Sequence, residues 1–282
     1  MIANKYDIIS KIGEGQFGTV YKGKYKRNNE FVAIKVEHLD APIPLLNHET
    51  RILNYINSKH STCVPFVYWY GLYDHLPTLI MPLYEYSLED LYSNKKLSKN
   101  DLLHHCIKII NILGFIHEYG VIHCDLKPEN FMVKENEIYL IDFGLATIFV
   151  DENSAILPQK PDSIFITGTP KFISINIHNG ISPSRRDDLI SAIYIFSYLQ
   201  HNCYLPWLNV QDKYDGYNPN NINHFKNQER KRKKIEYYNN LHSSTFEKKI
   251  LTYLKSIEFQ EKPHYQRIIT IFEEKISTNN IC

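Results

Sequence analysis

The sequence predicts an α+β fold: a small antiparallel β lobe with one helix over residues 1–82, followed by a larger, mainly α-helical lobe over residues 83–282. Short β-branched and aromatic runs alternate with turn residues near the start of the chain, whereas apolar residues recur at helical spacing after residue 100. The chain has 282 residues, 43% of them hydrophobic, which is enough for one large core or two modest ones. We therefore expect one functional domain, residues 1–282, built from two lobes.

The first lobe is predicted to begin with an antiparallel meander. A Gly-rich turn and a polar turn at residues 27–30 separate its first three runs, and an amphipathic pattern indicates one helix packed on the sheet. The predicted elements are strands at Tyr6–Ile12, Thr19–Tyr25 and Phe31–Val36, a helix at Leu45–Ile56, and strands at Val67–Tyr73 and Thr78–Met81.

The second lobe is predicted to be helical. One face of Asn100–Tyr119 is apolar, and Asp188–Leu199 is apolar nearly all round, which is typical of a helix at the centre of a lobe. Thr245–Ile257 and Tyr265–Ile276 are predicted as closing helices. The polar stretch Asn209–Asn240 has an Asn-rich middle, which favours a surface loop.

Charge and cysteine content limit the partners we expect. The net charge of +1 argues against a general attraction to nucleic acid or membrane, and the five cysteines show no CxxC pair that would indicate a zinc site. We expect a monomer in a reducing intracellular compartment, in the cytoplasm with the nucleus as a further option. The basic run Arg230–Lys234 is interpreted as a solvated helix face, with nucleic-acid binding, nuclear import and an acidic partner as alternatives.

The sequence from Val121 to Gly144 carries the strongest functional pattern. Asp125 is a candidate base, Lys127 a candidate phosphate-neutralising cation, and Asn130 and Asp142 candidate magnesium ligands, with Asn130 also part of the catalytic set. Transfer of a γ-phosphoryl group needs these groups: a carboxylate to hold the attacking hydroxyl, and metal and lysine to neutralise the growing charge. The spacing predicts a phosphotransferase that uses ATP and Mg²⁺.

A nucleotide site is predicted from the first strands. Residues 13–20 spell GxGxxGxV, in which Gly13, Gly15 and Gly18 would let the backbone approach phosphate oxygens. The same glycine spacing occurs in dinucleotide-binding folds, but those require a helix where we predict the strand Thr19–Tyr25. Lys35 follows a Val-Ala-Ile run and is expected to contact the α- and β-phosphates.

The rest of the nucleotide site is predicted around Lys35. Glu49 on the first helix should pair with Lys35, for which Glu37 is the poorer candidate. We expect Met81 and Tyr84 to supply backbone groups to adenine, since Pro82 between them has no N–H. The apolar residues predicted above and below the ring are Ile12, Val20, Ala33, Met132 and Ile141.

With these motifs the chain resembles the eukaryotic-type protein kinases, and further motifs resemble the casein kinase 1 family over nearly the whole length. The most discriminating is Ser174-Ile175-Asn176, which stands where most kinases have Ala-Pro-Glu. The other stretches that carry the resemblance are Ser87–Leu91, His123–Phe131, Gly168–Asn176, Arg185–Leu189, Leu205–Trp207 and Lys262–Tyr265.

The resemblance implies a serine/threonine kinase for acidic protein substrates, in which Asp188 tethers the backbone of the catalytic loop, Val121–Asn130. Lys127, two residues after the base, is similar to serine/threonine rather than tyrosine kinases. The family favours acidic or already phosphorylated substrates through a pocket of basic residues. Here Cys124, Thr147 and Ile164 stand at basic positions of that pocket, and Lys171 alone keeps a charge and is expected to contact substrate.

The resemblance also bears on regulation. We expect activity without activation by phosphorylation, a weakened preference for phosphorylated substrates, and no regulatory tail, because the chain stops at Cys282 just past the last predicted helix. Two alternatives remain at this point: a pseudokinase scaffold, and a kinase for small molecules.

Overall fold

The computed structural model describes residues 2–15, 17–94, 98–211 and 218–279. They form two compact units: the first comprises the described residues within 1–87 and 130–146, and the second comprises those within 88–129 and 147–282. Residues 130–146 belong to the first unit because their strands pair with the strand at Tyr86–Ser87. The lobe boundary after residue 82 stays a prediction.

Strands dominate the first unit. In chain order the strands of the described residues are β1 (Tyr6–Glu14), β2 (Gly18–Tyr25), β3 (Phe31–Glu37), β4 (Trp69–Tyr73), β5 (Leu76–Pro82), β6 (Tyr86–Ser87), β7 (Val121–Ile122), β8 (Phe131–Lys134), β9 (Glu137–Leu140) and β10 (Thr147–Ile148). The main sheet is antiparallel with the order β1-β2-β3-β5-β4, and a smaller sheet has the order β6-β8-β9. The predicted meander is therefore present, with ends shifted by a few residues.

Helices dominate the second unit. In chain order the α-helices of the described residues are α1 (Leu46–Asn57), α2 (Leu88–Asn94), α3 (Lys99–Glu118), α4 (Ile175–His178), α5 (Arg185–Gln200), α6 (Phe225–Asn240), α7 (Phe246–Ser256) and α8 (Tyr265–Asn279). Of these described α-helices, α1 alone belongs to the first unit. The short strands β7 and β10 pair antiparallel within the second unit.

Helix α1 begins at a carboxylate supplied by the sheet. The Oε1 atom of Glu37 at the end of β3 accepts hydrogen bonds from the backbone N–H groups of Leu45 (2.6 Å) and Leu46 (2.9 Å). A carboxylate is favourable there because the first N–H groups of a helix have no intrahelical partner. Glu37 thus fixes the entry to the helix that carries Glu49, and it is not the partner of Lys35.

Helix α5 is the centre of the second unit, as its sequence predicts. Nearly every side chain from Arg185 to Leu199 is buried, and the helix begins with a capping box between Ser184 and Asp187. The capping box places the carboxylates of Asp187 and Asp188 at the helix N-terminus, inside the core, where backbone N–H groups and the helix dipole stabilise negative charge.

The Asn-rich middle of the polar stretch Asn209–Asn240 is predicted as a surface loop, and the second half of the stretch forms a helix. Residues 225–240 form α6, while residues 218–223 form turns and residues 212–217 lie outside the described part of the chain. The buried face of α6 consists of Asn227 and Lys234 instead of apolar residues. A helix whose buried face is polar has no apolar periodicity, so the hydropathy pattern could not indicate it.

The structure also shows the state of the cysteines and the apolar length of the helices. Cys63, Cys106, Cys124 and Cys203 are free thiols, and Cys282 lies outside the described residues. Within the described ranges, no helix is both long and apolar enough to cross a bilayer.

Candidate active site

Lys35, Glu49 and Asp142 meet in the first unit. The Nζ atom of Lys35 on β3 donates to Glu49 Oε2 on α1 at 2.7 Å and to Asp142 Oδ1 at 2.8 Å. The Glu49 side chain is 1% exposed and that of Asp142 is 36% exposed. The predicted contact between Lys35 and Glu49 is therefore confirmed, and Asp142 joins it.

Electrostatics keeps Lys35 charged. Burial alone would lower the pKa of Lys35, but the carboxylates of Glu49 and Asp142 outweigh it and raise the pKa above its ordinary value. Burial raises the pKa of Glu49, and the nearby ammonium group opposes this shift. A lysine held charged between a buried and a partly exposed carboxylate can contact an anionic ligand without losing its proton.

Asp142 and Asn130 have the donor chemistry that Mg²⁺ requires. Both supply side-chain oxygens, and Asp142 has a left-handed backbone with φ of 66° just before Phe143 and Gly144. Asn130 is buried, and its backbone carbonyl accepts a hydrogen bond from the backbone N–H of Ile141 at 2.9 Å. Among the residues that the structure describes, no cluster of three His, Cys, Asp or Glu side chains could hold a metal. An ion here would need water and phosphate oxygens as further ligands, which is how Mg²⁺ is commonly bound.

The Gly-rich turn lies between β1 and β2. The Gly15 N–H donates to the Gly18 carbonyl at 2.9 Å, and Gln16 lies outside the described residues. A Cβ atom on Gly18 would lie 2.4 Å from the Val36 carbonyl oxygen, so this position requires glycine. The turn is followed by a strand and not by a helix, which disfavours the dinucleotide-binding alternative.

The residues predicted around adenine all lie in the first unit. Met81 and Pro82 end β5, where they pair with Ala33 and Val32 of β3. The ring of Tyr84 lies 4.7 Å from that of Tyr139, and burial raises the pKa of Tyr84. Of the predicted apolar residues, Ala33 is buried, Ile12 is exposed, and Val20, Met132 and Ile141 are half-buried. Their contact with adenine stays a prediction.

In the second unit, the backbone of the catalytic loop is held by Asp188. Its Oδ2 atom accepts from the N–H of His123 at 2.8 Å and its Oδ1 atom from the N–H of Cys124 at 3.1 Å. His117 on α3 contacts Oδ2 through Nε2 at 3.0 Å. This confirms the predicted tether. His123 is fully buried, and its Nδ1 atom accepts from the Asp125 N–H at 3.3 Å, which helps to fix the loop.

The carboxylate of Asp125 is held on both oxygens. Thr169 Oγ1 donates to Oδ1 at 2.6 Å, and Lys127 Nζ donates to Oδ2 at 2.9 Å. The residue is 8% exposed. Sequence reasoning predicted Asp125 and Lys127 but not Thr169, whose hydroxyl lies 44 residues away in the chain.

The segment Gly168–Asn176, called here the 168–176 segment, lies against the catalytic loop. Gly168 has φ of +87°, and a Cβ atom there would lie 2.2 Å from the Cys124 carbonyl oxygen. Asp187 holds the far end, since its Oδ1 atom accepts from Ser174 Oγ (2.6 Å) and Asn176 Nδ2 (2.9 Å). Two neighbouring aspartates of α5 thus hold the catalytic loop and the 168–176 segment.

The residues at the predicted anion pocket carry little charge. Burial, and secondarily Asp188, raises the pKa of the Cys124 thiol, so Cys124 is not a reactive thiolate. Thr147 lies on β10, and Ile164 is 58% exposed. Lys171 is exposed, and its carbonyl accepts from Trp207 Nε1 at 2.7 Å.

A cavity of about 500 Å³ lies elsewhere in the second unit, between α3, α5, α7 and α8. Its walls include Leu103, Phe196 and Glu247, and none of the predicted site residues.

The family model of the protein kinase domain matches residues 6–262. The chain belongs to the protein kinase family. The predicted α+β kinase fold, with an antiparallel sheet in the first lobe and a helical second lobe, is confirmed. The chain carries the Gly-rich turn, Lys35, Glu49, Asp125, Asn130 and Asp142 of the protein-kinase pattern, whereas Cys124 stands at its arginine and Ser174-Ile175-Asn176 at its Ala-Pro-Glu.

Proposed function

We propose that this kinase transfers the γ-phosphoryl group of ATP to serine or threonine in acidic proteins, and that it resembles casein kinase 1 in specificity. The observation that carries the proposal is the anchoring of Asp125 by Thr169 and Lys127, on a loop whose backbone is tethered to Asp188. A base for phosphoryl transfer must be held within hydrogen-bond reach of the attacking hydroxyl.

Asp125 is assigned as the base. A carboxylate is an acceptor-only group, so Asp125 can orient a serine or threonine hydroxyl and take its proton as the oxygen attacks phosphorus. Lys127 lies 2.9 Å from the same carboxylate, where its ammonium group can neutralise charge that develops on the transferred group.

Lys35 is assigned to the α- and β-phosphates of ATP. Glu49 positions it, and Asp142 and Asn130 would hold the magnesium ion. When bound, Mg²⁺ neutralises charge on the β- and γ-phosphate oxygens. The short distance between Lys35 and Asp142 is compatible with both groups acting on one triphosphate.

We further propose that phosphorylated substrates have only a small advantage. A phosphate is bound strongly by arginine, whose planar group donates two parallel hydrogen bonds. Cys124 is buried, Ile164 is apolar, and Lys171 supplies one exposed cation. We also expect the protein to be active without phosphorylation, because Cys124 cannot form a charge-assisted pair with a phosphate on Thr167 or Thr169.

The pseudokinase alternative has no support from the chemical groups present, since Lys35, Asp125 and Asp142 are all retained and interact with charged or polar partners.

The decisive experiment for the proposed function offers the protein three acidic peptides that differ only in the acceptor residue, which is Ser, Thr or Tyr. Phosphate on Ser or Thr supports the proposal. Transfer to Tyr alone, or to none of the three, contradicts it.

A further inference from the structure

The basic run Arg230–Lys234 contains a lysine that is not solvated, which corrects its interpretation as a solvated helix face. Lys234 is 0% exposed, whereas Arg232 is exposed and Lys231 and Lys233 are half-buried. Burying an amino group is costly unless it is fully hydrogen-bonded. The partners of Lys234 therefore show what its position on α6 achieves.

Those partners belong to the 168–176 segment and its neighbour α4. Lys234 Nζ donates to the carbonyls of Pro170 at 2.9 Å and Ile173 at 2.7 Å, and it contacts His178 Nε2 at 3.0 Å. The faces of Tyr194 and Trp207 lie 5.3 and 5.7 Å from the same atom. The amino group is thus surrounded by backbone carbonyls, one imidazole and two aromatic rings.

This environment accepts the amino group in either protonation state. Burial, and secondarily Arg230, lowers the pKa of Lys234, and burial lowers the pKa of His178, so the imidazole is neutral. An ammonium group can donate to both carbonyls and to His178. A neutral amine can donate to both carbonyls and accept from the imidazole N–H. The two carbonyl contacts persist in both cases.

The carbonyls that Lys234 binds belong to a tight turn. The N–H groups of Phe172 and Ile173 both donate to the Thr169 carbonyl, at 2.9 and 3.2 Å. Trp207 Nε1 binds the carbonyl of Lys171 in the same turn. Three carbonyls between residues 170 and 173 are therefore held by side chains, and the turn begins at the threonine that donates to Asp125.

We propose that Lys234 is a positioning residue for the protein substrate: it fixes the 168–176 segment, where the substrate chain binds, against the catalytic loop. The inference rests on the proposed function. Lys234 does not touch substrate and does not bind a phosphate on it, because its donors are already directed to Pro170 and Ile173. Its effect reaches the site through the turn, Thr169 and Asp125.

The test compares Lys234→Met with Lys233→Met on the same helix. Methionine keeps an unbranched side chain of similar length and removes the donors, and Lys233 is the matched control with no contact to the 168–176 segment among the described hydrogen bonds. The first readout is amide hydrogen exchange at Phe172 and Ile173. We expect it to be at least ~10-fold faster in Lys234→Met, since one lost hydrogen bond changes an equilibrium by about this factor, and unchanged in Lys233→Met.

The second readout separates positioning from folding. Lys234→Met should raise the KM for an acceptor peptide about 10-fold while the KM for ATP stays within about 2-fold of wild type. Partial unfolding alone would lower the concentration of active enzyme, and thus the apparent kcat, without changing the peptide KM. Trp207→Phe, which removes the donor to the Lys171 carbonyl, should shift both readouts in the same direction and serves if Lys234→Met does not fold.

Wild-type exchange at Phe172 and Ile173 in Lys234→Met overturns the inference, and so does an unchanged peptide KM in folded, active Lys234→Met; if Lys234→Met does not fold, the same results in Trp207→Phe overturn it. If the wild-type protein phosphorylates none of the Ser, Thr or Tyr peptides, the proposed function fails instead. The exchange measurement then still decides whether Lys234 fixes the segment.

Discussion

Asp188→Asn tests how Asp125, the proposed base, is positioned. The buried carboxylate accepts from two consecutive backbone N–H groups of the catalytic loop, at 2.8 and 3.1 Å, and contacts His117 at 3.0 Å. Asparagine has nearly the same shape but only one oxygen. If the side-chain oxygen of the asparagine accepts from the His123 N–H, its NH2 group faces the Cys124 N–H. Two donors then face each other without an acceptor.

The expected cost follows from these contacts. A hydrogen bond to a charged group contributes about 1.5–3 kcal/mol, and a buried N–H without an acceptor costs about 1–3 kcal/mol. We expect a loss of roughly 2–5 kcal/mol in the free energy of unfolding, below the ~5–15 kcal/mol typical of folded proteins. The variant should fold, with a melting temperature lower by roughly 5–15 °C.

The effect on catalysis should exceed the effect on folding. The freed loop carries Asp125, and a displacement of about 1 Å at a reacting group can reduce the rate ~100-fold. We expect kcat to fall by about that factor at a temperature where the variant is fully folded by circular dichroism, with the KM for ATP little changed. Ser191→Ala on the same helix removes a buried hydroxyl that bonds only to the Asp187 carbonyl among the described hydrogen bonds, and should keep near wild-type kcat. A folded Asp188→Asn protein with near wild-type kcat would refute the tether as the means of positioning.

Three further predictions follow from the site. Lys35→Met should lower the rate of phosphoryl transfer at least ~100-fold, since Asp142 and the buried Glu49 lose the cation that they share. Initial-rate kinetics with saturating ATP checks this prediction. Activity within a few-fold of wild type would contradict the assignment of Lys35. Protein produced in bacteria and treated with phosphatase should phosphorylate a peptide without prior phosphorylation by another kinase. Protein that is inactive until Thr167 or Thr169 is phosphorylated would contradict this prediction. The ratio of kcat/KM for a phosphorylated peptide to that for the matched unphosphorylated peptide should be near one in the wild-type protein. It should rise at least ~10-fold in Cys124→Arg, because one arginine contact to phosphate contributes about 1.5–3 kcal/mol. A ratio that does not rise in Cys124→Arg would contradict the proposed loss of charge in the anion pocket.

Local patterns predicted the elements whose buried face is apolar. Strands β1 to β5 and helices α1, α3, α5, α7 and α8 are each covered by a predicted run, because period-two and helical patterns record which side chains face a core, whereas the short strands β6, β8 and β9 of the first unit were not predicted. The contacts of Lys35 with Glu49 and of Asp188 with the catalytic loop were also predictable, because each motif names both partners.

Contacts between distant polar groups that no motif names were not predictable. Lys234 lies in a basic run that looks solvated, yet its partners Pro170 and Ile173 are 64 and 61 residues away. The contacts of Asp187 were not predicted either. The tether to the catalytic loop was predicted for its neighbour Asp188, whereas Asp187 accepts hydrogen bonds from Ser174 and Asn176. Burial of a charged side chain depends on tertiary partners, which a local hydropathy pattern does not record.

The central claim is that Asp125 is the base of a serine/threonine phosphotransferase. The most direct measurement is a single-turnover assay of wild type and Asp125→Asn with ATP, Mg²⁺ and a serine peptide, with ATP binding measured on the same samples. We predict equal ATP affinity and a rate of phosphoryl transfer reduced at least ~100-fold in the variant, since a positioned base contributes about 10²–10⁴-fold. Transfer by Asp125→Asn at close to the wild-type rate would contradict it.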